Sequence, residues 1–417
     1  MSEPSPGHAG QADAAPDAVA REYLLLGLSL GELQEGIVDS YFGPPELRQV
    51  ALDAHATPAD IAQRARELVG RLDDEVEDAQ RREWLNRQLV AVETLAQLVG
   101  GEPLDYIEEV TRCFDAPPER TPDADYASVK RELDGLLPGQ GDVRDRLVAR
   151  DERLTVPADR LAPVLDWLAE ELRRRSDAMF SAPEGESLTV SIVTGQPWSA
   201  YNWYDGNLRS RVEVNTDLPV RAHQVIGTMA HETFPGHHLE HAWKEARLVR
   251  EQGRAESSIL LINTPEAFVS EGLAELGLRF VADEGDWQSL LIELCARADL
   301  PMTVADADRE WRITRALRPL RGSGGDAAML MHADGKSRDE VIAFLEHEAL
   351  RTREQAEKNL EFISFALWRS YIFCYAGGLR LLSRWCDAAG DKAAQRDRFF
   401  RLLTEQLTPS GISAELA

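Results

Sequence analysis

Five of the nine histidines, His223, His231, His237, His238 and His241, fall between positions 223 and 241. Inside that stretch the chain reads His231-Glu232-Thr233-Phe234-Pro235-Gly236-His237-His238-Leu239-Glu240-His241. With the Pro-Gly pair taken out it becomes His-Glu-Thr-Phe-His, the spacing that sets two imidazoles one helical turn apart with a carboxylate beside them. Two such imidazoles hold a divalent cation, Zn2+ above all, and the carboxylate serves as general base toward a water. The Pro-Gly pair is the obstacle to that reading. On an unbroken helix His231 would share a face with position 235, where proline has no N–H and clashes with the carbonyl four residues back, at a cost of about 3 kcal/mol. The spacing therefore predicts a kink or bulge, with Gly236 free to take positive φ, that passes the role of second ligand to His237.

A catalytic zinc usually takes three protein ligands and keeps a fourth position open. The third is expected from Ser270-Glu271-Gly272-Leu273-Ala274-Glu275, inside a helical pattern opened by Thr264-Pro265. Glu271 is the candidate, and Glu275, one turn later, the fallback. The expected site is thus one Zn2+ on His231, His237 and Glu271, with Glu232 as base and His238 steadying the oxyanion or orienting the substrate. A second parse stays open: His237-His238-Leu239-Glu240-His241 fits the inverted H-x-x-E-H arrangement on unbroken helix, with Glu240 as base. His223, His332 and His347 read as ordinary core or surface histidines.

A chain of 417 residues can bury a large core, and its 43% hydrophobic and 28% charged residues are ordinary for a globular protein. A net charge of -26 repels phosphates, so neither nucleic acid nor an anionic membrane is expected as a partner. Cys113, Cys295, Cys374 and Cys386 are scattered without a C-x-x-C pair and read as buried free thiols. Residues 1–16 read as a disordered tail without an apolar export segment, and Tyr23 to Leu30 is too short for a membrane span. A cytoplasmic location is expected; the oligomeric state is left open.

The elements around the motif are read mostly as helices. Apolar residues at three- and four-residue steps predict helices over Asp17 to Tyr41, from Thr57-Pro58, over Asp78 to Val99, Asp105 to Phe114, Tyr126 to Leu137 and Leu161 to Phe180. Leu188 to Val193 and Ser210 to Asn215 alternate like strands, with Trp198, Tyr201, Trp203 and Tyr204 in the loop between them, either packed over a small sheet or lining a substrate cleft. Arg211 to Asn215 is expected to align an extended peptide by backbone pairing. Helices then follow over 220–248, 265–282, 286–298, 301–319, 337–373 with an interruption, and 376–407. Arg321 to Asp326 and Gly335-Lys336-Ser337 lack the context of a phosphate loop and read as turns. The division is a helical region over 17–181 and a catalytic region over 182–417, read as one continuous body.

The stretch H-E-T-F-P-G-H-H-L resembles the H-E-x-x-P-G-H-H signature of the bacterial domain-of-unknown-function 885 family, grouped with the zincin metallopeptidases. Asp39-Ser40-Tyr41-Phe42-Gly43-Pro44-Pro45 is similar to that family's N-terminal D-x-Y-Y-G-P-P segment, and Glu271-Gly272-Leu273-Ala274 to its E-G-W-A motif, with leucine replacing tryptophan. Tyr375-Ala376-Gly377-Gly378 is similar to a family Y-x-x-G element. The resemblance spans about 39 to 378. It implies a mainly α, zincin-like helical body with a small β-sheet before the zinc-binding helix, a deep central cleft and a hydrolytic zinc, with Tyr375 as a donor to the oxyanion. The function expected is a zinc metallopeptidase acting on short peptides, by carboxypeptidase or oligopeptidase action. The alternatives are a non-peptide amidohydrolase on the same site or a helical binding protein without catalysis.

Overall fold

The computed structural model describes residues 15–196 and 198–417, so the expected tail lies outside the described residues except for its last two. Helices dominate, and their starts follow the capping chemistry written in the sequence. Thr57, with Pro58 behind it, accepts from the Asp60 N–H at 3.2 Å while its own N–H donates to the Asp60 carboxylate at 2.9 Å. Helices Ala79–Val99, Tyr106–Phe114 and Asp123–Leu136 fall close to where the apolar steps place them. The charged helix Val143–Arg153 has too little apolar pattern to be read from the sequence.

The first helix is shorter than expected. It runs Ala18–Leu33, because Gly36 takes a φ of 90° and turns the chain out. Val38–Tyr41 then forms a strand antiparallel to Ile259–Leu261. Ile37 is fully buried all the same, which is why the helical step pattern ran on through it.

A second sheet has three strands. Ser187–Val193 pairs in parallel with the central strand Arg209–Asn215, and Ala200–Gly206 pairs antiparallel on its other side. Two expectations change. From Ala200 on, the aromatic segment is a strand rather than a loop, with Trp203 exposed, Tyr201 partly buried on the same face, and Ala200, Asn202 and Tyr204 buried. Arg211 to Asn215 is flanked on both edges, so its backbone has no free side for a peptide.

Helix Ala158–Phe180 packs with Ala222–Glu232, Pro265–Val281, Glu284–Arg297, Trp368–Asp387 and Lys392–Thr404 around the main core. The N-terminal helices enclose a second core, to which Ile259 and Leu261 contribute. The expected C-terminal helices are divided differently: Arg338–His347, Arg353–Ser364 and Trp368–Asp387, the last running through a predicted boundary. The glycine-rich turn at 321–326 is instead the start of helix Ser323–His332. Its glycines admit neighbours, since a Cβ on Gly324 would lie 2.8 Å from Ile372.

Candidate metal centre

The expected single helix over 220–248 is broken where the proline demands it. The first histidine helix, Ala222–Glu232, ends just past His231, and a second, His237–Lys244, starts after a turn containing a cis Phe234-Pro235 bond. Gly236 sits at φ -84°, not at positive φ. It is needed for proximity: its N–H donates to the Ala230 carbonyl at 3.1 Å, and a Cβ there would lie 1.9 Å from the His231 carbonyl oxygen. The Asn202 side-chain amide donates to the Glu232 carbonyl at 2.7 Å, which ties the end of the first helix to the sheet.

This turn brings His237 Nε2 to 3.1 Å from His231 Nε2. Glu271, on helix Pro265–Val281, places Oε2 3.3 Å from His231 Nε2 and Oε1 3.8 Å from His237 Nε2. A tetrahedral ion with bonds of about 2.0–2.1 Å needs donor atoms about 3.3 Å apart, so these three side chains have the spacing and donor set to hold a metal ion. The buried Glu271 Oε2 lacks a hydrogen-bond partner, as an atom reserved for a cation would. His231 and His237 keep 14% and 12% of their side chains exposed, enough for approach from solvent.

The far side of each ring is engaged by a carboxylate. His237 Nδ1 lies 3.4 Å from Glu240 and 3.2 Å from Ser270 Oγ, and His231 Nδ1 lies 3.7 Å from Glu275. With the proton on Nδ1 these partners turn both Nε2 lone pairs inward. Glu275, the fallback ligand, thus lies behind His231, and its other oxygen is paired with Arg321. Glu240 does not match the base of the inverted parse: it accepts from Lys244 Nζ at 2.6 Å and from Ser270 at 2.6 Å. His241 stacks against His237 at 5.8 Å and meets the tilted Tyr204 ring at 5.1 Å; burial pushes its pKa down to about 3, and it lies outside the metal-holding group.

His238 is the clearest departure from expectation. It points away from the centre, fully buried, with Nδ1 2.8 Å from Ser210 Oγ and Nε2 2.7 Å from Glu186. Successive residues on a helix lie about 100° apart, so the neighbour of a ligand faces another side. His238 fastens the sheet to the helix and has no ring nitrogen left for an oxyanion.

The electrostatics call for positive charge. Burial opposes protonation of His231, yet the close approach of Glu271 and the fields of Glu232, Glu271 and Glu275 push its pKa up to about 10. Burial likewise disfavours a charged His237, but Glu240, Glu271 and Glu232 still raise its pKa. Without a metal the carboxylates hold protons on the imidazoles; a divalent cation supplies the same charge at the same place. Glu232 is buried beside both rings, and burial raises its pKa, which suits a group that must take up a proton near neutrality.

Tyrosines complete the surroundings, and most of them are not legible from the motif. Tyr371 donates to Glu271 Oε1 at 2.6 Å, and Tyr375, one turn on, has its ring 6.4 Å from that of His231. Both belong to helix Trp368–Asp387, which crosses the Glu271 helix so closely that a Cβ on Gly272 would lie 2.6 Å from the Gly378 backbone. The i, i+4 pairing of Tyr371 with Tyr375 was the signal available in the sequence. Leu273 is buried in the main core.

No family model and no curated protein matches the sequence. Solved structures do. A proposed lipoprotein from Colwellia psychrerythraea matches with a TM-score of 0.54 at 14% identity, over 88% of this chain and 69% of that one. A proposed lipoprotein of unknown function from Shewanella oneidensis matches at 0.52 and 12% identity, over 95% of this chain and 82% of that one. These two share the fold. An M32 carboxypeptidase from Deinococcus radiodurans R1 gives 0.37 at 13% identity over 94% and 93%, a likeness too slight to argue from. No described helix is long and apolar enough to cross a membrane.

Proposed function

We propose that this chain is a zinc-dependent hydrolase of the zincin type, related to the domain-of-unknown-function 885 proteins and acting on short peptides. The observation that carries the reading is the convergence of His231 Nε2, His237 Nε2 and Glu271 at 3.1 to 3.8 Å, with a glutamate buried beside them. Zn2+ held by these three residues would supply Lewis acidity toward a water and toward the scissile carbonyl. Glu232 takes the proton from the attacking water and returns it to the leaving amine, its pKa lifted by burial for that exchange. Glu240 and Glu275 hold the imidazoles in the tautomer that leaves Nε2 free. Tyr375, whose hydroxyl pKa is pushed well above its usual value by burial, stays a neutral donor and steadies the oxyanion in place of His238. The Ala200–Gly206 strand, on the sheet edge nearest the first histidine helix, takes over the alignment of an extended peptide from Arg211 to Asn215.

Metal analysis of protein purified without added zinc is expected to find one equivalent, lost in His231→Ala. Glu232→Gln is expected to keep the metal and lower kcat on a peptide library by about 100- to 10,000-fold. Wild-type protein with no metal, or equal turnover by the Gln variant, would remove the reading.

A further inference from the structure

Strand Val38–Tyr41 belongs to the N-terminal part of the chain, yet it delivers a carboxylate to the metal centre. Asp39 is half-buried, and one of its oxygens accepts a hydrogen bond from Tyr201 Oη. Tyr201 lies on the outward face of the aromatic strand, with Trp203 at 4.5 Å and Trp198 at 5.6 Å between ring centroids. The charged groups whose fields reach Asp39 most strongly are His237, Glu271 and Glu232, and Tyr371 feels Asp39 in turn. Asp39 therefore shares the surroundings of the ligand triad.

What it lacks is a cation. Several buried carboxylates of this chain are met by guanidinium or ammonium groups, Glu256 by Arg81, Glu310 by Arg150, Glu109 by Arg369 and Glu240 by Lys244, and buried Asp326, which has no such cation, has both its oxygens engaged by the Thr121 N–H and the Tyr126 hydroxyl. Asp39 forms no ion pair with any lysine or arginine among the described residues, and its second oxygen has no partner among them. Nor is that oxygen sealed in the interior, because it is not among the buried polar atoms left without a partner. A largely desolvated carboxylate with one unpaired oxygen and aromatic rings beside it is a receptor for a cation, and since its other oxygen is taken by Tyr201 it suits a compact ammonium better than a guanidinium, which seeks two oxygens at once.

The geometry points to Asp39 as a specificity-determining residue that receives the ammonium group of the substrate, with Tyr201 holding its carboxylate in place and the Trp198, Tyr201 and Trp203 rings flanking the bound amine. This rests on the hydrolase reading for the identity of the substrate as a peptide. The ammonium belongs either to the peptide's amino terminus or to a lysine side chain, and both present the same chemistry to Asp39.

The test uses zinc-loaded full-length protein carrying Glu232→Gln, so that probes bind without being turned over, and isothermal titration calorimetry as the readout. The probes are alanyl-alanine, N-acetyl-alanyl-alanine and N-acetyl-lysyl-alanine. A charge-assisted contact is expected to favour the free ammonium by about ten- to a hundred-fold over the N-acetylated dipeptide, and Asp39→Asn to collapse that preference to within about two-fold. Tighter binding of alanyl-alanine alone than of N-acetyl-alanyl-alanine assigns the amino terminus; tighter binding of N-acetyl-lysyl-alanine alone assigns the side chain. Tyr201→Phe, which leaves the carboxylate but removes its anchor, is expected to reduce the preference partway with the zinc content unchanged. Binding of both ammonium-bearing probes no tighter than of N-acetyl-alanyl-alanine by the Asp39-containing protein, or a preference that survives Asp39→Asn, overturns the assignment. Should the wild type prefer the ammonium yet hydrolyse no peptide, the hydrolase reading fails and the Asp39 receptor stands.

Discussion

Glu240 touches three groups at once: the Nδ1 side of His237, the Ser270 hydroxyl and the Lys244 ammonium. Burial alone would raise its pKa, but Lys244 and His237 hold it well below the usual carboxylate range. It is thus a permanent anion whose task is to orient a ligand. Glu240→Gln removes that charge with little change of shape, and zinc affinity measured by competition with a chromophoric chelator is expected to fall about 10- to 100-fold. His223 gives the pH prediction. Its pKa lies well below 6.5 because burial and then Arg150 and Arg221 disfavour its charged form. Below pH 6.5 the unfolded chain takes a proton that the folded chain refuses, so the stability tied to neutral His223 is full above 6.5 and is lost as pH falls from there toward the folded pKa. Chemical denaturation at pH 7.5 and pH 5 is expected to differ more for wild type than for His223→Gln, by up to about 2 kcal/mol.

At the scale of elements, two backbone approaches set the site. One is the turn at Gly236; the other is the crossing of the Glu271 helix with the tyrosine helix at Gly272 and Gly378. A Cβ on Gly378 would lie 2.6 Å from the Phe268 carbonyl oxygen and 2.7 Å from Gly272 Cα. Gly378→Ala is expected to cost about 1–3 kcal/mol in denaturant unfolding and to lower kcat as well, because Tyr371 and Glu271 shift together. Gly227, inside the first histidine helix with no atom within 4 Å of a built Cβ, is the control. Gly227→Ala is expected to stabilise by about 0.5–1 kcal/mol. These contacts also show where sequence reading ran out. The bulge, the two imidazoles and the third carboxylate were legible because proline geometry and helical spacing are local. The strand at Val38–Tyr41, the outward turn of His238 and the helical state of Ser323–His332 were not, since each is decided by a partner distant in sequence: Ile259–Leu261, Glu186, and Ile372 with Phe373.

Over the whole molecule the N-terminal helices are joined to the metal centre by a line of polar contacts. Trp84 Nε1 donates to Glu266 at 2.8 Å, Glu266 pairs with Lys244, and Lys244 pairs with Glu240 behind His237. Arg81 meets the fully buried Glu256 at 2.7 Å in the same region. A metal bound only by the folded chain should therefore stabilise the entire body. Calorimetric unfolding in chelator and with zinc restored to about 100 times its Kd is expected to differ by about 2.7 kcal/mol, with the transition moving as one. A fragment beginning at residue 182 would keep His231, His237 and Glu271 and still be a different object. Ile259–Leu261 would be an open edge, Glu256 a stranded anion, and Lys244 would face a Glu266 with its indole gone. The ligands can be carried by the second half of the chain alone, but the surroundings that make them a site are made jointly.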